Sequence, residues 1–494
     1  MKTTEPTKKT RNAPIDMSAD TFRAAGYMLV EQIAEFLEGI GERPVTRDFD
    51  PKALKAKLGH PNGFPDDGEP VTDLLERTAS LLFENSTFNG HPKFWGYITA
   101  SATPIGILAE MLAASVNPNV GAWGLSPIAT EIERQTIRWI AEFIGYPTNC
   151  GGLLVSGGNM ANFIGVLAAR KAKCRWNVRE EGLKGQQLLI YTSQETHTWV
   201  QKAADLFGFG TQSIRWIPVN DRQQIDIDSL QQQIDSDRKA GALPFLLVGT
   251  AGSVSTGAID PLDQLAEIAK TNDLWFHVDG AYGSFAAGLP EAPPELKAIS
   301  LADSIATDPH KWLYSPLEAG AVLVKDPMHL LDAFSYRPPY YHFDSDEENP
   351  TINFYEYGFQ NSRGFRALKV WLSLKQAGKN GYIQMIREDI RMIGALAKAI
   401  RNHPELELHS SNLSIVSFRY IPRAVKPGSE QQEYLNKLNT DILNQIQKGG
   451  EAFLSNAVQD DNFYLRACIV NFRTTMEDIL SLAELVVKTG RALA

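Results

Sequence analysis

The chain has 494 residues, 43% of them hydrophobic and 21% charged, enough for two or three domains with ordinary globular cores. Its formal net charge of −10 argues against nucleic acid or an anionic membrane as a partner, while leaving room for a local basic pocket. Three scattered cysteines, Cys150, Cys174 and Cys468, are too few for a disulfide framework or a zinc site, and no apolar run approaches the ~20 residues that span a bilayer.

The opening MKTTEPTKKTRNAP is polar and basic, which reads as a flexible arm of a cytoplasmic protein and not as a secretory signal. The rest of residues 1–87 is helical. DTFRAAGYMLVEQIAEFLEGI has an acidic start, apolar residues three and four apart, and Gly39 and Gly41 to end it. VTDLLERTASLLFENS repeats the pattern after the turn-rich GHPNGFPDDGEP. Two amphipathic helices bury little alone, so the segment is expected to lie on another domain or another subunit.

Residues 88–381 have a different texture. Short apolar runs (GGLLVS, QQLLIYTS, PFLLVGTAG, WFHVDG, DSIATD, AGAVLVKD) alternate with helical ones such as NMANFIGVLAARKAK and PLDQLAEIAKTNDL. That alternation predicts an α/β domain with a mostly parallel sheet covered by helices on both faces. Residues 382–494 mix long helices with short strands, SIVSFRYI and LRACIVNF among them, and read as a smaller α+β domain.

Four stretches in the middle domain carry chemistry. In LLVSGGNMANF a strand runs into Ser156, Gly157, Gly158 and Asn159 and then a helix, whose free N–H groups suit a phosphate. The pattern is neither GxGxxG nor a P-loop, so it specifies no nucleotide, and alone it equally fits a plain capped turn. In YTSQETHTWVQKA, His197 follows a strand and opens a helix, where an imidazole can stack on a flat ring. In WFHVDGAYG, Asp279 emerges from an apolar strand, a costly place for a carboxylate unless it meets a cation or donors. In DSIATDPHKWLY, a lysine follows a turn at a strand end and precedes large aromatics. A lysine packed against such rings is desolvated and poised as the neutral amine that forms an imine. A phosphate cradle, a stacking imidazole, an acid for a ring nitrogen and a reactive lysine together match pyridoxal 5'-phosphate.

These segments, with SRGFRALKVW downstream, resemble the group II pyridoxal-phosphate decarboxylases, and HPKFWGYITAS and SPIATEIE are more similar to the aromatic amino-acid branch than to the glutamate branch. The resemblance implies a fold-type I homodimer with active sites between the subunits and the N-terminal helices packed on the partner. By position, Lys311 would carry the cofactor, Asp279 would pair with its ring nitrogen, His197 would stack on the ring, and Ala281 would pack on the other side. Gly158 and Asn159 would contact the phosphate, aided by Asp308 or His310.

Two positions depart from the family pattern. Relatives often have asparagine where Asp308 stands, and a carboxylate beside a phosphate is unfavourable unless protonated or turned away. Relatives carry threonine at the position of Val254, where Ser253 is the candidate substitute. A loop in AFSYRPPYYHFDSDEENP would bring Tyr340, or alternatively Tyr341, to protonate the substrate carbon. Ile98, Thr99 and Ala100 fall at substrate-pocket positions, with Trp95 and Trp123 nearby, a lining that fits an aromatic or apolar L-amino acid.

The expected reaction is α-decarboxylation to an amine and carbon dioxide. Three rivals stand beside it: an aminotransferase gripping the α-carboxylate with an arginine such as Arg466, an aldehyde-forming oxidative decarboxylase, and a non-catalytic cofactor-binding protein.

Overall fold

The computed structural model describes residues 13–59, 63–336, 351–425 and 431–494. The N-terminal part is helical: α1 (Ala19–Glu38), α2 (Pro51–Lys57), α3 (Val71–Glu84), α4 (Pro104–Val116) and α5 (Pro127–Ile144). Helix α1 begins where the Ser18 side chain accepts from the Thr21 N–H, and it ends at Gly39. Phe36 of α1 stacks on Phe83 of α3 at 4.4 Å, which closes the helical pair.

The middle of the chain runs β1 (Gly151–Val155), α6 (Gly158–Lys173), α7 (Val178–Glu181), β2 (Leu188–Ser193), α8 (Trp199–Leu206), β3 (Ile214–Ile217), α9 (Ile227–Lys239), β4 (Leu243–Thr250), α10 (Leu262–Thr271), β5 (Trp275–Asp279), α11 (Pro294–Lys297), β6 (Ser304–Thr307), β7 (Gly320–Val324) and α12 (Met328–Phe334). Its strands form a seven-stranded sheet in the order β1-β7-β6-β5-β4-β2-β3. The five strands from β6 to β3 are parallel, and β7 lies antiparallel to both β6 and β1. Strands β1, β2, β5, β6 and β7 are buried along their whole length, which is why they read as continuous apolar runs. One face packs on α5 and α10 and the other on α6 and α8.

Helix α13 (Ala367–Asn402) leads into β8 (Leu406–Asn412), β9 (Ile415–Tyr420), α14 (Gln432–Gly449), β10 (Ser455–Gln459), β11 (Asn462–Cys468) and α15 (Met476–Leu493). These strands make a second, antiparallel sheet in the order β10-β11-β9-β8, with its own core of Ile393, Phe418, Ile442, Leu465 and Val486. Gly378, at φ +65°, breaks α13 into two helical stretches shortly before residue 382, where the smaller domain was expected to begin. Residues 94–95 also join this second sheet: Phe94 bridges Phe453, and Trp95 exchanges backbone hydrogen bonds with Phe453 and Cys468.

The SRGFRALKVW stretch has a structural task. Arg363 is buried and gives its guanidinium to Glu133 of α5 and to the carbonyls of Val120 and Leu154, while Glu133 accepts from the Leu154 N–H. A buried ion pair with these donors and acceptors supplied ties the segment before α13 to β1. Among the described residues no helix is long and apolar enough to cross a membrane.

Candidate active site

Parallel register puts the chemistry at one edge of the large sheet. Thr250 pairs with Asp279, and Asp279 with Ala306, so the carboxyl ends of β4, β5 and β6 stop in line. A cavity of about 440 Å³ opens beyond them, lined among others by Gly158, Asn159, His197, Asp279, Ala281, Asp308, His310, Lys311 and Ile98. A larger groove of about 850 Å³ runs along α5 and contains none of these residues.

Lys311 sits in a tight turn after β6. Its N–H bonds the Asp308 carbonyl at 2.9 Å, and its own carbonyl accepts from the Tyr314 N–H at 3.0 Å. The ammonium lies 3.2 Å from Asp308 Oδ2. His310 Nδ1 accepts from the Ala319 N–H, which leaves Nε2 to face the same carboxylate oxygen at 3.5 Å. Burial lowers the pKa of this imidazole, against the opposing pull of Asp308.

The expectation that aromatics desolvate the lysine is corrected. Trp312 and Tyr314 turn away from the cavity into the core, where both donate to Asp389 Oδ2, at 2.9 and 2.7 Å. What meets the lysine is Asp308. That carboxylate is not turned from the phosphate cradle either. Its Oδ2 lies 2.9 Å from where a Cβ on Gly158 would stand, and its buried Oδ1 has no hydrogen-bond partner. Asp308 thus lies between Lys311 and the Gly158 turn.

Asp279 is buried at the end of β5. Its Oδ2 accepts from Trp199 Nε1 at 2.7 Å and its Oδ1 from the Ala281 N–H at 3.2 Å. His197 faces the open cavity, and its Nδ1 accepts from the Trp199 N–H at 3.3 Å. The surrounding protein lowers the pKa of this imidazole, with Asp279 pulling the other way, so the neutral ring is favoured. Behind Asp279, His277 is fully enclosed. Its Nε2 donates to Asn162 Oδ1 and its Nδ1 accepts from the Ser304 hydroxyl, both at 2.7 Å, and burial brings its pKa down to about 4.

The turn expected to cradle the phosphate is Gly157, at φ +125°, followed by the N-terminus of α6. Gly157 adopts a backbone conformation that side chains avoid. Gly158 leaves room that a Cβ would close against Asp308 and Ala281.

Several expected residues lie elsewhere. Ser253 is buried with its hydroxyl on Thr256, and Thr250, Gly252 and the 40% exposed Val254 face the cavity instead. Trp95 is 1% exposed in the core of the second sheet and donates to Thr474, because its backbone is zipped onto that sheet. Thr99 and Ala100 are half-buried and, like Trp123, are absent from the lining, whereas Ile98 is part of it. Arg466 spends one nitrogen on Tyr97 O and Ser455 Oγ outside the cavity. Tyr340 and Tyr341 lie outside the described residues. Trp199, Thr250, Glu195 and Tyr282, which sequence reasoning passed over, also line the cavity. Thr250 could have been found, since it ends the apolar strand β4.

The residues present fit a pyridine aldehyde phosphate. A lysine amine stands at one side of the cavity, a carboxylate at the end of the central strand, and a glycine cradle opens a helix. On a mostly parallel seven-stranded sheet, that arrangement defines a pyridoxal-phosphate enzyme of fold type I. The chain belongs to the pyridoxal-dependent decarboxylases, whose conserved-domain model matches residues 51–421. It is 32% identical to an aromatic-L-amino-acid decarboxylase of Bacillus atrophaeus over 95% of each chain. It is 29% identical to a phenylacetaldehyde synthase of Petunia hybrida over 92% of this chain and 91% of the other. The solved structure of Oryza sativa TDC with PLP and tryptamine superposes with a TM-score of 0.90 at 25% identity, covering 98% of this chain and all of that one (100%). The chain is thus an enzyme that uses pyridoxal 5'-phosphate to decarboxylate an amino acid.

Proposed function

We propose that the substrate is an aromatic L-amino acid and that the products are the corresponding amine and carbon dioxide. The observation that carries this reading is the convergence of Lys311, Asp279 and His197 on one cavity whose other walls include Ile98, Met160, Phe163 and Leu317. The names of the relatives support an aromatic substrate, and the tryptamine in the rice structure is an amine.

Bound here, pyridoxal 5'-phosphate supplies an electron sink for the bond that breaks at Cα. Lys311, whose amine reaches the cavity, would hold the cofactor through its aldehyde. Asp279, oriented by the Trp199 and Ala281 N–H groups, would hold the proton on the ring nitrogen. His197 would stack on the ring, and the N-terminus of α6 would receive the phosphate. The apolar walls keep water from the substrate carboxylate, which favours its departure as neutral carbon dioxide. Tyr340, with Tyr341 as the alternative, would be the donor that returns a proton to Cα.

The working form in this reading is a cytoplasmic homodimer with its sites at the interface. Its N-terminal helices, residues 1–87, pack on the partner, residues 88–381 bind the cofactor, and residues 382–494 form the smaller domain. The exposed apolar side chains Leu108, Met111, Leu112 and Val116 on one helix, and Phe22, Tyr27 and Val30 on another, support a covered surface there. An assay of the purified enzyme over the common L-amino acids tests the reading. Amine and carbon dioxide from tryptophan, tyrosine, dopa or phenylalanine are expected. Aldehyde with ammonia as the main products would move the chain to the oxidative reading, as in the Petunia relative.

A further inference from the structure

Lys311 enters the cavity because the three residues after it are drawn the other way. The turn that carries it belongs to no helix or strand and closes through the bonds Lys311 N–H to Asp308 O, Tyr314 N–H to Lys311 O and Ser315 N–H to Pro309 O. Tyr314 sits at φ +51°, a left-handed conformation that a large side chain leaves unless something outside the turn retains it. The retaining contacts come mainly from α13. Trp312 Nε1 and the Tyr314 hydroxyl both donate to Asp389 Oδ2, and the Tyr382 hydroxyl donates to the Leu313 carbonyl at 3.1 Å. Asp389 and Tyr382 are two helical turns apart and so lie on one face of α13. The Thr103 N–H meets the Tyr314 carbonyl from the opposite side, at 2.9 Å.

We propose that Asp389 is a positioning residue for Lys311, seating the 308–314 turn on α13 through Trp312 and Tyr314 and so fixing where the lysine amine stands. The proposal rests on reading Lys311 as the residue that carries the cofactor.

Bulk stability does not ask for an acid at 389. The site is dry, with Trp312, Leu313 and Tyr314 all fully buried, and an apolar residue facing phenylalanines would fill it without desolvating a carboxylate. What an acid adds is direction. One oxygen receives two donors from residues one and three places after the lysine, which fixes the ring orientations and the backbone between them. Trp312 is further held by stacking on Tyr282, a cavity residue, at 4.7 Å. Asp389 lies beyond the Gly378 break, in the part of α13 whose Met392, Ile393 and Leu396 enter the core of the second sheet. The helix that packs on the smaller sheet therefore governs where the lysine stands, while that sheet gives no side chain to the cavity among the described residues.

The test compares Asp389→Leu, Asp389→Asn and Tyr314→Phe with the unaltered enzyme. The readouts are the pyridoxal 5'-phosphate dissociation constant from the absorbance of the lysine-bound form, and the fraction of cofactor trapped on Lys311 by borohydride. Far-UV circular dichroism checks the fold. Asp389→Leu leaves two buried donors without an acceptor and is expected to weaken cofactor binding about tenfold, with less trapping. Asp389→Asn keeps an acceptor oxygen and is expected to stay within about threefold, while Tyr314→Phe, which loses one of the two bonds, falls between them. A folded Asp389→Leu enzyme with unaltered affinity and trapping overturns the proposal, and so does an asparagine variant as damaged as the leucine one. If the leucine variant does not fold, unaltered affinity and trapping in Tyr314→Phe overturn it. Peptide mapping of the trapped, unaltered enzyme separates the two readings: cofactor on another side chain removes the assignment of Lys311 itself, whatever the Asp389 variants do.

Discussion

The two sheets divide the work unequally. The seven-stranded sheet delivers Asp279, His197, Asp308 and Lys311 to the cavity from the ends of its parallel strands, whereas no residue after Leu317 lines it among the described residues. The four-stranded sheet acts at one remove. Ser414, between β8 and β9, hydrogen-bonds the Tyr282 hydroxyl, and α13 holds the lysine turn. Parallel strands end together and so focus side chains on one edge. An antiparallel sheet spreads its strand ends over two edges and suits support better than convergence.

Substitutions on the large sheet should break chemistry first. Lys311→Ala is expected to lower decarboxylation about 10⁴-fold and abolish the lysine-bound absorbance band, measured by amine formation and by spectrum. Asp279→Ala should cost about 10³-fold in kcat with the circular dichroism spectrum retained, and normal turnover would mean that another group serves the ring nitrogen.

A third test sharpens the comparison through stability. The pKa of His277 in the folded chain, about 4, lies below its ordinary 6.5. The unfolded chain therefore takes up this proton first, and stability is lost as pH falls from 6.5 towards 4. The loss amounts to about 3 kcal/mol and is level below that. Urea midpoints across that range should show a flatter pH dependence in His277→Gln than in the unaltered chain. The smallest effect belongs to the second sheet: Ser414→Ala should cost about 1 kcal/mol of stability and leave turnover within about twofold, because the Ser414 N–H still meets the Tyr282 hydroxyl. A large fall in turnover there would dissolve the distinction between the two sheets.

Much of this was legible in the chain. Apolar runs ending in a functional residue revealed β2, β5 and β6 and, with them, His197, Asp279 and Lys311, because a parallel sheet buried on both faces leaves a continuous hydrophobic signature. Strands β8 and β10 were not legible. LELHSSN and SNAVQ are polar edge strands whose pairing depends on distant partners. Trp95 misled for a related reason. It stands beside pocket residue Ile98 in the chain, yet its side chain belongs to the core of the second sheet.

The sequence by itself determined the fold class and the cofactor, because strand-end placement and side-chain chemistry are local properties that a single chain displays. Only the tertiary structure decided that Asp308 meets Lys311 while Trp312 and Tyr314 turn to Asp389, that Trp199 donates to Asp279, and that Asp389 holds the lysine turn from 75 to 77 residues away. Those partners are joined by folding across long stretches of chain, and a hydrogen bond between distant residues leaves no periodicity or spacing to read.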